Sequence, residues 1–224
     1  MHRTLAPFAC LLLFLPQMAE AGAWPRERGK GFISAGATLN WPQAVLSAGS
    51  GSAPHPKTYT TFYLEYGLTD RITLGLDLGR AVSGKDKTVA FVQFPLRNQD
   101  AGPKVALQLG FGQVGGDTVL RPGLAVGWGL HKGWISAEGM VEIGLDGSGT
   151  DMKLDMTWGR NLPRDRKLIL QMQLGAPSDD PVFARFAPSI VFPLRGDFKA
   201  EVGATWGLTG DEDVGIKFGL WSKF

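Results

Sequence analysis

Charged side chains in this chain recur at every second position, and that spacing bears on chemistry before any fold is assigned. Lys153-Leu154-Asp155 and Lys199-Ala200-Glu201 alternate ions with apolar residues, and Glu138 and Glu142 stand four apart in the same rhythm. In an extended strand, positions i, i+2 and i+4 share a face. The ions on that common face are Glu65, Asp77, Lys104, Arg121, Glu138, Glu142, Lys153, Asp155, Arg185, Lys199, Glu201, Lys217 and Lys223. Acidic and basic members nearly balance, which gives no basis for strong anion or cation selectivity. Two uses are open to them: pairs that only satisfy inward charge, or a charged constriction that selects polar solutes. Around Gly147-Ser148, alternation places Glu142 opposite Lys153, Met140 opposite Asp155, Ile143 opposite Met152 and Val141 opposite Leu154. Tyr63, Phe91, Trp134 and Trp221 fall on the same face as the ions and serve either to stack on a ring-shaped solute or to fill space.

Other chemistries find fewer residues. The single cysteine, Cys10, lies in the N-terminal leader described below, so disulfides and thiolate metal sites are excluded from the rest of the chain. A serine nucleophile needs a base within hydrogen-bond reach. His55 falls in a long loop and His131 in a turn at the other end of the strands, neither beside Ser34, Ser136 or Ser189. The acidic stretches Asp211-Glu212-Asp213 and Ser178-Asp179-Asp180 offer oxygen ligands but lack the full spacing of a calcium loop, and they read as solvated tips. The glycine-rich stretches lie in strands with no following helix, so no phosphate-cradling loop is expected. With 23 basic and 21 acidic side chains, nucleic acid is not expected as a partner. No cofactor is expected.

The elements that must position these ions are strands. Period-two alternation recurs twelve times between turn residues, over 31–41, 58–66, 71–79, 88–96, 104–112, 119–129, 133–143, 151–159, 167–175, 185–194, 198–207 and 214–224. The face opposite the ions is apolar (Leu64, Leu74, Leu76, Leu78, Leu107, Leu109, Leu154, Leu170, Val202) and within those limits carries no charge. Trp41 and Trp206 fall at one set of strand ends, and Tyr66, Trp128, Trp158, Phe198 and Phe224 at the other, as two aromatic girdles. The 31 glycines are spread through the strands, as a tightly curved sheet requires. Pro122 and Pro188 lie inside strands and predict bulges there.

At the N-terminus, His2 and Arg3, the apolar run Leu5 to Leu15, and Ala19-Glu20-Ala21 predict a signal peptide over 1–21, cleaved after Ala21. Residues 22–30 read as a periplasmic segment with Trp24 at the headgroup level; folding up into the lumen as a plug is the other option. At the opposite end, Val214, Ile216, Phe218 and Leu220 lead to a terminal Phe224. This resembles the closing strand of Gram-negative outer-membrane β-barrels, and the resemblance extends over the whole chain after residue 21. It implies an all-β, antiparallel up-and-down barrel of about twelve strands over 31–224, set in outer-membrane lipid. It also implies that Phe224 is read by the barrel-assembly machinery. Twelve strands give a backbone radius of roughly 12 Å, between the filled eight-stranded and open sixteen-stranded cases. The expected function is a narrow passive channel for small hydrophilic solutes, not an enzyme. Its rivals are a closed barrel with a structural or surface-interaction role and, further off, a barrel enzyme acting on lipid.

Overall fold

The computed structural model describes residues 22–46, 54–81, 86–99 and 101–224; the expected signal peptide and part of the loop after Pro42 lie outside them. Twelve strands follow in order: β1 (Gly31–Pro42), β2 (Lys57–Thr69), β3 (Ile72–Ala81), β4 (Lys87–Arg97), β5 (Lys104–Val114), β6 (Asp117–Leu130), β7 (Gly133–Gly144), β8 (Thr150–Leu162), β9 (Arg166–Ala176), β10 (Phe183–Pro193), β11 (Phe198–Thr209) and β12 (Asp213–Lys223). Each pairs antiparallel with its neighbour in sequence, and β1 pairs with β12 to close the barrel. Closure leaves no unpaired edge. Both chain ends emerge at one mouth, here the terminal mouth; the opposite one is the distal mouth. Among the described residues no helix is long and apolar enough to cross a membrane, which does not bear on crossing by strands.

The alternation works as its period dictates. In β3, Leu74, Leu76 and Leu78 point outward while Thr73, Gly75 and Asp77 point inward, and the β2 partners Tyr66, Leu64 and Phe62 keep the same sides. The outward face exposes Leu74, Leu107, Leu109, Phe111, Leu124, Ile190, Phe218 and Leu220, a continuous apolar belt. The strands run longer than alternation indicated, which brings Arg80, Arg160 and Arg166 onto the outward parity. All three sit at strand ends, where long cationic side chains reach the polar interface.

Three sequence expectations need correction. First, register is unbroken across both prolines that predicted bulges. Leu120 pairs with Ile143 and Gly123 with Met140, leaving only a short gap at Arg121 and Pro122. Phe186 pairs with Trp206 and Ser189 with Gly203 in the same frame. A proline removes one N–H toward one neighbour; Pro122 still pairs with Leu109 and Pro188 with Leu170 on the other side. The shifts fall instead at Gly67/Thr69, Pro95/Arg97 and Ala184/Arg185.

Second, the β7–β8 hairpin is offset by two residues: Glu142 faces Asp151, Met140 faces Lys153 and Glu138 faces Asp155. Gly147 and Gly149 take φ values of +86° and +106°, the left-handed region that glycine enters without steric cost. Ser148 N donates to Asp146 Oδ1 (3.2 Å) and Gly144 N to Gly149 O (2.9 Å), closing the loop sooner. The Ser148 hydroxyl, together with its main-chain nitrogen, holds the exposed Asp146 carboxyl below its ordinary pKa.

Third, Trp24 lies inside the barrel instead of at the headgroup level. It is buried in a cluster with Ala23, Trp134, Ile169 and Val191.

The seam ends on Phe224. Gly31 N donates to Phe224 O (2.8 Å) and Phe224 N to Gly31 O (3.1 Å), and the Phe224 ring covers Gly31, where a Cβ would collide with it. Deleting Phe224 removes both bonds and this cover. The yield of folded, heat-modifiable barrel is expected to fall while synthesis of the chain is unchanged; equal folded yields from both chains would count against a role for this residue in closure.

Candidate solute passage

Inward side chains divide the lumen into a filled wall, a filled terminal mouth and an open lane. The wall spans β3 to β8. Arg121 Nη1 donates to Asp77 Oδ2 (2.7 Å) and lies 3.7 Å from Glu142 Oε1; Lys87 Nζ stands 2.7 Å from Asp77 Oδ1, and Lys153 Nζ 2.8 Å from Glu142 Oε2. Arg121 and Glu142 are almost fully buried. Glycines make room for the larger groups, since the Phe91 ring occupies the space a side chain at Gly75 would need. Phe91 in turn stacks on Tyr63 at 5.7 Å between ring centroids.

The terminal mouth is filled by residues 22–30. Arg26 is buried and its guanidinium reaches Glu65 Oε2, from Nε at 2.6 Å and Nη2 at 2.5 Å; Tyr63 Oη donates to the other oxygen of Glu65 at 2.7 Å. Arg26 N donates to Thr73 Oγ1 (3.1 Å), and Gly29 and Gly67 are tied by a main-chain bond of 2.8 Å. Trp24 sits over Gly127, which has no side chain to obstruct it. The segment thus touches β2 and β3 through Arg26, β6 through Trp24, and β9 and β10 through the cluster with Ile169 and Val191.

The open lane runs along β9 to β12, β1 and β2, where Ser34, Gly36, Thr61, Ala187, Ser189 and Gly219 are small. Two cavities occupy it. The one nearer the terminal mouth holds about 290 Å³ and is bordered by Lys199, Lys217, Glu201, Trp221 and Tyr63, beside Arg26 of the N-terminal segment. The distal one holds about 1080 Å³ and is bordered by Asn40, His55, Lys57, Tyr59, Gln173 and Arg185. Thr61, Ala187 and Lys217 line both, so the two cavities adjoin at their level. Lys217 Nζ is held 2.8 Å from Glu201 Oε1, and Trp221 Nε1 donates to the other Glu201 oxygen at 3.2 Å. A third, distal recess of about 460 Å³ lies beside Glu142 and Lys153.

The structure sorts the candidate ions. Glu65, Glu138, Lys199, Glu201 and Lys217 border the inner cavity, Arg185 and Lys217 the distal one, and Glu142 and Lys153 the third. Asp77, Arg121 and Asp155 belong to the wall and border none of the three. The offset of two leaves Glu142 and Lys153 in contact, now diagonally instead of directly opposite. Arg185 is held by Asp211 (2.6 Å) and Lys199 by Asp165. Alternation had not marked Arg26, Lys87 or Trp24; the first and last precede the periodic region, and Lys87 is one residue outside its expected strand.

The acidic tips are engaged within the protein: Asp211 also accepts from Asp213 N (3.0 Å), and Ser178 N and Oγ donate to Asp151 (2.8 and 3.0 Å). Among the described residues no group of three or more His, Cys, Asp or Glu side chains is arranged to hold a metal ion. His55 borders the distal cavity and His131 is exposed in a turn at the terminal mouth.

With this geometry in view, the comparisons with known proteins bear on fold. The KdgM porin superposes with a TM-score of 0.64 at 7% identity, over 85% of this chain and 99% of that one. The same porin in complex with disordered oligogalacturonate gives 0.62 at 8% identity, over 85% and 99%. The fold is that of the outer-membrane β-barrels. The outer-membrane channel COG4313 of Pseudomonas putida F1 agrees, with a TM-score of 0.56 at 9% identity over 93% of this chain and all of that one. No family model matches the sequence, and no curated protein matches it.

Proposed function

We propose that this protein is a narrow passive channel for small hydrophilic solutes across the outer membrane of a Gram-negative cell. The observation that carries this reading is that two lumenal cavities adjoin, with Thr61, Ala187 and Lys217 bordering both. The apolar belt supplies the lipid contact, the terminal mouth faces the periplasm, and the barrel-assembly machinery is the partner during biogenesis. The lane offers small polar side chains and closely paired ions, a lining that passes neutral polar solutes and favours neither ionic sign strongly. No side chain is assigned a chemical step. Porins and channels share the fold, which supports the reading without specifying a solute.

Conductance of the refolded chain in planar bilayers is the test. Stepwise openings are expected, and Thr61→Trp is expected to reduce each step several-fold. Thr61 is exposed to the lumen at the point where the cavities adjoin, so an indole there obstructs the lane without displacing packed neighbours. A barrel that folds yet never conducts would favour the closed, structural reading, and the observation on that side is the segment 22–30 inside the terminal mouth.

A further inference from the structure

Of the six carboxylates that alternation placed inward, four are paired with basic side chains: Glu65 with Arg26, Asp77 with Lys87 and Arg121, Glu142 with Lys153 and Arg121, and Glu201 with Lys217. Glu138 and Asp155 are arranged differently. They face each other directly across the β7–β8 ladder, an arrangement that like charges destabilise. Among the described residues neither forms an ion pair with a lysine or arginine, because the bases at hand, Lys153 and Arg26, are held by Glu142 and Glu65. The group that does reach this pair is the main-chain nitrogen of Gly22, 3.1 Å from Glu138 Oε1.

Gly22 is also the residue that follows the expected cleavage site Ala19-Glu20-Ala21. Hydrolysis of the Ala21–Gly22 peptide bond by an export peptidase consumes one water. The Ala21 carbonyl carbon takes the water's oxygen and leaves as a carboxylate, and the Gly22 nitrogen takes both of the water's protons. A neutral amide becomes an α-ammonium, charged at neutral pH. We propose that this α-ammonium is the counter-ion of the Glu138/Asp155 pair and that the bond latches residues 22–30 inside the barrel mouth. The latch rests on cleavage after Ala21. Glycine suits the position, since a Cβ on residue 22 would fall 2.8 Å from Glu138 Oε2 and 3.2 Å from Cδ. Trp24 and Arg26 fix the rest of the segment, and the charge created at Gly22 strengthens the hold at its free end.

The test compares refolded chains that begin at Gly22 with the amino group free or acetylated. Ala23→Cys serves as the reporter in both, because Ala23 is fully buried and the chain after residue 21 has no cysteine. Labelling by a membrane-impermeant maleimide is expected to be at least tenfold faster in the acetylated chain. Glu138→Gln is expected to accelerate labelling of the free chain similarly, and acetylation is expected to add little in that background. The conductance of chains without the cysteine is the second measurement, with larger steps after acetylation. Equal labelling and equal conductance for free and acetylated chains would overturn the latch itself. Sequencing the N-terminus of protein taken from outer membranes separates the other premise: an N-terminus other than Gly22 would overturn the processing step and with it the latch in the cell, whatever the refolded chains do.

Discussion

Leu76→Arg is expected to cost the barrel about 2 to 4 kcal/mol of stability in lipid, the penalty for a cation on the lipid face near mid-depth. That is a loss of roughly 30- to 1000-fold in the folding equilibrium. Leu76 points outward between Leu64 on β2 and Ala90 on β4. Alternation alone would nominate the adjacent inward position, Gly75, as the harmless comparison. The structure withdraws it, because any side chain there displaces the Phe91 ring. Thr61→Arg is the proper control: the position faces the lane and is exposed to it, so its charge stays in water. Urea unfolding in lipid vesicles should rank Leu76→Arg well below Thr61→Arg, and the reverse order would show the faces to be exchanged.

Glu142→Gln should be nearly as damaging, by about 3 kcal/mol or more. Glu142 is 3% exposed and lies between Lys153 and Arg121, which also share the wall with Lys87 and Asp77. Its neutralisation leaves Lys153 without its carboxylate and Arg121 sharing Asp77 with Lys87 in a confined space. Lys153 is 38% exposed, so Lys153→Met by itself should cost no more than about 1 kcal/mol, as solvent screens its pair. In the Glu142→Gln background, however, Lys153→Met removes one of the surplus cations and should restore stability. A double-mutant cycle on refolded protein measures this; additive effects would mean that the two side chains do not act on each other. In a conducting barrel the single changes should also shift the reversal potential in opposite directions, since Glu142→Gln leaves extra positive charge in the lumen and Lys153→Met extra negative charge.

Strand number, the two faces and the closing strand were all legible in the sequence, because lipid outside and ions inside impose a period of two that survives any local irregularity. Leu74-Gly75-Leu76-Asp77-Leu78 states its own orientation. The offset in the β7–β8 hairpin was not legible for a related reason. A shift of two residues leaves every side chain on its face, so alternation cannot distinguish Glu142 opposite Lys153 from Glu142 opposite Asp151. Loop chemistry decides, through Gly147, Gly149 and the Asp146 carboxylate. The prolines misled because a bulge is only one way to accommodate a missing donor; a gap in one ladder is the other. Residues 22–30 carry no period at all. Their place depends on Thr73, Glu65, Glu138 and Gly127, which are brought together only when four different strands are in position.

The β1–β12 seam has a kinetic meaning. Phe32 pairs with Lys223 and Leu39 with Ile216, partners separated by almost the whole length of the barrel sequence, whereas every other ladder joins neighbours across a turn or loop. Local hairpins can form in microseconds, but joining the first strand to the last must wait until the last strand is in place, and it bears the largest loop-closure entropy in the molecule. Until then both margins of the curling sheet remain open and prone to pair with another chain. Contact order makes this one junction the slowest ladder expected of the fold, and residues 22–30, which are continuous with β1, come to lie inside the mouth that it completes.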